Sequence, residues 1–366
     1  MATYPTKLAE AFASKALEIY YSASVAEEIT NQDYEGEIRD KSSILNILTF
    51  SKILSQDYTG ADMTADDLTE SSGQLITNQA KRFYFRVKSY DKFRSYIKNP
   101  EGTILTQTAS ELKKVIDTYV LGFWTEVAAG NRIGTDYTAG TVTVDASGNV
   151  TGAATTFTSS MVGKGFQAAG QTSWYRVKTF TSTTAIVIED DKDDETSAYT
   201  GGAIGGGSSY TIQANTAVQM TSSSIFDQLN QLQVLLDNQE IPSENRFVVV
   251  PPAVGALIKL NANFNPSGVP AAYDKLSKGA LANGRLGGQL AGFEVFQTPR
   301  VVGNKTDGWH ILAGHRSAIT FAMGFVETGM EDAIGNFGKK YKSLNVYGAK
   351  VVDERRKALA ELFGKL

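Results

Sequence analysis

With 366 residues, 42% of them hydrophobic and 20% charged, the chain is long enough for two or three compact units around sizeable cores. A formal net charge of -4 argues against free nucleic acid as a ligand for the whole surface, and the absence of cysteine excludes disulfides, thiolate nucleophiles and cysteine-bound zinc or iron-sulfur sites. No run of about 18 apolar residues occurs and the first eight residues lack a long apolar segment, so the expectation is a soluble chain without signal peptide or membrane span.

Residues 6–29 place Leu8, Phe12, Ala16, Ile19, Tyr20 and Ala23 near a 3.6-residue period, which predicts a helix broken at Asn31-Gln32-Asp33, and 1–34 reads as an N-terminal arm. From 35 to 87 the pattern becomes β-like. Ile44, Ile47 and Leu48 lead into a polar stretch at 58–72, after which Phe83, Phe85 and Val87 alternate with Tyr84, Arg86 and Lys88. Two extended segments joined by an acidic connection predict a projecting hairpin over 35–90. Residues 103–129 then keep Leu105, Ala109, Leu112, Ile116, Tyr119, Val120, Phe123 and Val127 on one helical face, ended by Gly130, long enough for a spine.

The texture changes at 135. Up to 212 it is dominated by threonine, serine and glycine, with short alternating runs at 141–144, 174–177 and 185–188, candidate turns at Gly148-Asn149 and Ala169-Gly170, and a glycine-rich stretch at 201–209 that reads as flexible. This predicts a small all-β barrel or sandwich over 135–213, inserted into a loop of a larger α+β host, because helical texture resumes at Ser224. Ile225, Leu229, Leu232 and Leu236 lie along one helix face, with the serines at 222–224 as capping candidates. Asn238 and Pro242 close that helix. The apolar run Phe247 to Val250 suits a strand covered on both faces, and Pro251-Pro252 opens a second short helix containing Val254, Leu257 and Ile258. A Gly292-Phe293-Glu294-Val295 strand returns to this cassette.

Catalytic and metal-binding patterns are weak. The two histidines, His310 and His315, flank a strand-like run, where an offset of five points them to opposite faces. The acidic run from Glu189 to Glu195 has hard-cation donors but carries Glu195 where an EF-hand needs glycine, so a solvated turn is expected. Neither the glycines of 201–207 nor Gly163-Lys164-Gly165 is a phosphate loop, no Gly-x-Ser-x-Gly elbow occurs, and Trp124, Trp174 and Trp309 read as packing anchors. No enzyme, cofactor or metal is expected.

The order of these segments carries a resemblance. Asp33-Tyr34-Glu35-Gly36-Glu37-Ile38 opens a long hairpin, Asp57-Tyr58-Thr59 turns into it, and a long helix with Asp117 and Tyr119 precedes the cassette. Closing segments follow at Leu290 to Phe296, Ile311 to Gly314, Ala318 to Ala322 and Tyr347 to Val352. Outside 135–212 the chain resembles tailed-phage major capsid proteins of the Hong Kong ninety-seven-type fold.

The resemblance implies an extended loop at 35–90 that reaches over a neighbouring subunit. It also implies a peripheral domain from 91–134 and 337–366, an axial domain at 214–336, and an outward-facing insertion. It implies self-assembly through pentamers and hexamers into an icosahedral or prolate shell around double-stranded DNA. Scaffolding, portal and decoration proteins would be partners, and the virion the location. A cell-surface binding or adhesion protein presenting the β-module is the alternative.

Inter-subunit pairing is expected between Arg39, Lys41, Lys81, Arg82, Arg86 and Lys88 of one copy and Glu35, Glu37, Asp62, Asp66, Asp67 and Glu70 of another. Lys98, Lys113, Lys114, Lys339, Lys340 and Lys342 are candidates for sequence-independent DNA contact on an inner face.

Overall fold

The computed structural model describes residues 24–31, 44–50, 70–89, 100–192, 197–260, 285–332 and 337–366. Of the expected N-terminal helix, only the turn Ala26–Ile29 lies within them. That turn is anchored by the fully buried Asp117, whose carboxylate accepts from Ser24 Oγ (2.8 Å) and from the backbone N–H groups of Val25 (3.1 Å) and Ala26 (2.9 Å), and pairs with Arg300. An anion facing free amides at the start of a helical turn is favourable on both hydrogen-bond and dipole grounds.

The long helix runs Pro100–Leu121 and tightens into a 3-10 turn, Gly122–Glu126, rather than continuing to 129. Gly122 is about 1 kcal/mol poorer than alanine inside a helix, and Phe123 and Trp124 pack from the tighter turn onto the buried core.

A central sheet organises the host. Its strands lie in the order Val218–Gln219, Leu359–Lys365, Gly308–His315, Arg246–Val250, Phe293–Gln297, Arg285–Leu290, with Arg132–Ile133 alongside the last strand of the chain. All five residues of Arg246–Val250 are buried. Phe247 and Val249 share a core with Ile116 and Val120 of the long helix, whereas Val248 and Val250 share another with Leu229, Leu232 and Leu236 of the helix Ile225–Asn238. A strand with a helix on each face needs a continuous apolar run, which is the pattern of 247–250. Pro252 opens the next helix, Pro252–Leu260.

The helix Ile225–Asn238 is capped differently from the expectation. Ser224 makes no capping bond; instead Thr221 Oγ1 accepts from Ser224 N (3.2 Å) and Ser224 Oγ accepts from Thr221 N (3.0 Å), a reciprocal box three residues upstream.

Two further corrections concern strand partners. Ile44–Phe50 pairs antiparallel with Glu70–Ile76, not with the Phe83 to Val87 segment. The segment Gln79–Lys88 pairs instead with Gly338–Val351, which pairs with Ile319–Asp332 to complete a three-stranded sheet. Phe85 stacks on Tyr341 at 5.1 Å, a cross-strand contact that favours this register. The expected division at 336/337 therefore cuts through a hairpin. Leu359–Lys365, expected with the long helix, lies in the central sheet between Gly308–His315 and Val218–Gln219.

Strands between Thr135 and Thr216 form an eight-stranded sheet of their own. Val142, Val150, Phe157, Phe166, Val177, Ile186, Ile188 and Ile212 are among the residues of its separate core. The entering and leaving strands lie side by side, Thr135 opposite Thr216 and Tyr137 opposite Ile212. The glycine-rich stretch is not wholly a linker, since Ile204–Ser208 forms an edge strand on Thr141–Val144.

Candidate assembly surfaces

The three-stranded sheet has two unlike faces, because directly opposed residues in antiparallel strands share a face. One carries the row Phe85, Tyr341 and Met330 and the half-buried Phe83 and Val87. The other carries Arg86 beside Lys340 and Glu331, Tyr84 beside Lys342, and Arg82 beside Leu344. Tyr84 is 57% exposed. A groove of about 410 Å³ is lined by Arg82, Tyr84, Lys342 and Leu344 of this second face together with Phe83 and Ser343, which lie between them in sequence. Lys342 pairs with Glu331 and holds its carboxyl below the usual carboxylate range, first through the hydrogen bond and then through its charge.

Of the expected pairing residues, Lys81, Arg82, Arg86 and Lys88 are exposed along one strand. Arg82, Arg86 and Lys88 share the basic face, while Lys81 falls on the other by alternation. Glu70 begins the strand Glu70–Ile76, and Glu35, Glu37, Arg39, Lys41, Asp62, Asp66 and Asp67 lie outside the described residues.

The candidate inner-face lysines divide. Lys113 pairs with Glu27 (3.0 Å), Lys114 with Glu111 (3.2 Å) and Lys342 with Glu331; Lys339 is exposed, and Lys98 is outside the described residues.

Neither histidine is part of a metal cluster among the described residues. His310 lies between the rings of Trp124 (3.6 Å) and Phe363 (4.4 Å), with Nδ1 2.5 Å from Glu361. His315 Nδ1 lies 2.7 Å from Ser317 Oγ. Burial, followed by the guanidinium charges of Arg246, Arg316 and Arg355, depresses its pKa and favours the neutral ring.

The acidic run is not simply a solvated turn. Glu189 is buried between Arg176 (3.1 Å) and Lys178 (2.9 Å), Asp190 accepts from Thr200, and Asp191 approaches Arg356 at 2.9 Å. Residues 193–196 lie outside the described set.

Sequence reasoning also missed a buried group around Glu361. Its carboxylate takes Arg132 at 2.7 Å as well as His310, and Arg132 donates to the carbonyls of Thr125 and Val127 at 2.9 Å each. Nearby, Lys164 donates to the carbonyls of Ala214 (2.8 Å) and Asn215 (2.7 Å) and lies over the Phe363 ring, while burial pushes its pKa down to about 8. Arg132 and Glu361 are 229 positions apart, so no local signal could have joined them.

Residues 183–360 match the model of a family described as phage capsid protein. Among solved structures, the chain is similar to one from Mycobacterium phage Che8 (14% identity, 98% of each chain covered, TM-score 0.62). It is also similar to the capsid of Ralstonia phage GP4 (12% identity, 99% of this chain and 96% of that one, TM-score 0.55). A third likeness is to the mature capsid of bacteriophage PhiM1 (9% identity, 97% and 91%, TM-score 0.54). No curated protein matches the sequence. Nearly half of the chain thus matches the phage capsid protein family, and the likeness to solved phage capsids spans almost all of it.

The chain has the Hong Kong ninety-seven-type fold expected from the order of its segments. The family match runs from the module strand Ala185–Asp190, through the central sheet, to the start of the last strand.

Proposed function

We propose that this chain is the major shell subunit of a phage head, with a structural rather than catalytic role. Its copies gather as pentamers and hexamers into a closed shell around double-stranded DNA. Scaffolding, portal and decoration proteins act as assembly partners. The all-β module of 135–213 is an insertion in the host, which comprises an arm (1–34), an extended loop (35–90), a peripheral part and an axial part.

The observation that carries this reading is the contrast between a sheet buried on both faces and a three-stranded sheet with an open basic face. Residues 57–70 contain Asp57, Asp62, Asp66, Asp67 and Glu70 and no lysine or arginine. Charge complementarity supports that segment of a neighbouring copy as the partner of Arg82, Arg86 and Lys88, with the pairing of Arg39 and Lys41 to Glu35 and Glu37 on the same pattern. Exposed pairs contribute only about 0–1 kcal/mol each, so they select register and partner more than they supply affinity. Repeated modest interfaces are also what a shell of many identical copies requires.

Arg82→Glu with Arg86→Glu is expected to slow assembly, measured by light scattering and sedimentation, and adding Asp66→Lys with Asp67→Lys is expected to restore it. Equal assembly of parent and charge-reversed chain would remove the pairing from the account.

A further inference from the structure

We propose that the all-β module has a role inside its own chain, as a brace that locks the end of the long helix to the central sheet. The observation is a strap, residues 128–131, held from two sides. It links the 3-10 turn Gly122–Glu126 to the short strand Arg132–Ile133 in the central sheet.

On the host side, Asn131 Nδ2 donates to the carbonyls of Lys357 (2.9 Å) and Leu359 (3.1 Å), and the Asn131 carbonyl accepts from Glu361 N (2.9 Å). On the module side, Gln213 spans Gly130, accepting from its N–H (2.8 Å) and donating to its carbonyl (3.1 Å). Asp191 accepts from Ala129 N and faces Arg356 of the host, which also donates from Nε to the carbonyl of Glu126 (3.0 Å). Trp174 covers Gly130 so closely that a Cβ there would lie 2.8 Å from its Cδ1, and Gly130 also has φ +100, so glycine is required twice over.

The strap thus obtains partners for three backbone polar groups from the module, groups that would otherwise depend on water. Lys164 adds a fourth contact from the module, over Phe363 of the last strand. Phe363 stacks on His310, which stacks on Trp124, so packing is continuous from the module to the end of the long helix. Trp174 is not part of the module's apolar core, and Trp174 and Gln213 sit where Gly165 of the module meets the strap, so both side chains lie at the junction itself. A module that merely decorated the chain would need only its entry and exit strands.

The test is hydrogen exchange on the unassembled full chain, which reads local opening and does not depend on shell formation. Trp174→Ala with Gln213→Ala is expected to make amides of 122–133 exchange about tenfold faster, while module strands Thr141–Val144 and Ala185–Asp190 keep parent protection. Trp174→Phe in place of Trp174→Ala is expected to recover most of the protection. Asp191→Asn, which preserves size and removes the charge facing Arg356, is the second variant and is expected to act in the same direction. Parent-level exchange at 122–133 in both variants would overturn the brace, as would loss confined to the module strands.

Discussion

The strands Arg246–Val250 and Gln79–Lys88 are both rich in β-branched or aromatic residues, yet they do opposite work. The first has a helix against each face and buries all five side chains. The second is an edge strand that alternates half-buried aromatics with exposed Arg82, Tyr84, Arg86 and Lys88. The difference is one of cover rather than composition. Where both faces are covered, every residue is committed to holding the fold. Where one face is open, alternate positions are released for recognition, and charges there also protect the edge from indiscriminate pairing. A shell subunit needs both kinds of strand, one to keep each copy the same and one to meet its neighbours.

The sharpest way to break this contrast is inside the central sheet. Glu361→Ala leaves Arg132, whose side chain is 3% exposed, without its counter-charge, and the expected loss is about 3–5 kcal/mol, read by denaturant unfolding of the unassembled chain.

Lys164 gives a pH signature at the seam between module and host. Its folded-state pKa of about 8 is below the ordinary 10.5, so between these values the unfolded chain binds more protons and stability rises with pH. Below about 8 both states are protonated and the desolvation penalty is fully present. Lys164→Met, which keeps the stem, is expected to be more stable near neutrality and to lack the rise; unfolding curves between pH 7 and 10 would show an unchanged slope if the assignment is wrong.

Thr221→Ala removes one side of the reciprocal cap and is expected to lower stability by about 1 kcal/mol, with no change in assembly once folded. Smallest in stability is the open face itself. Tyr84→Ala and Arg86→Glu are expected to shift the unfolding free energy by no more than about 0.5 kcal/mol while altering assembly. A loss of several kcal/mol would mean that the open face holds the fold after all.

The cassette at 224–260 was legible because each of its signals is local: leucine spacing sets the helix face, Pro242 and Pro252 punctuate it, and a continuous apolar run marks a doubly covered strand. Its cap was expected from the serines at 222–224 and is shared by Thr221 and Ser224, because these four side chains offer chemically similar oxygens. Alternation at 83–88 revealed two faces but not the partner strand, so the pairing with Gly338–Val351 could not be read. The acidic run showed its charge but not Arg176, Lys178 and Arg356, the cations that face it from other elements. Arg132, Glu361, His310 and Lys164 meet only because the last strand returns between distant segments, a consequence of topology with no local pattern.

The most direct measurement is electron microscopy with sedimentation of the purified chain, alone and coexpressed with neighbouring viral genes. Closed shells, or pentamers and hexamers, are expected in at least one of the two conditions. A persistent monomer in both would contradict the shell role and return the β-module to the role of a cell-surface binding element.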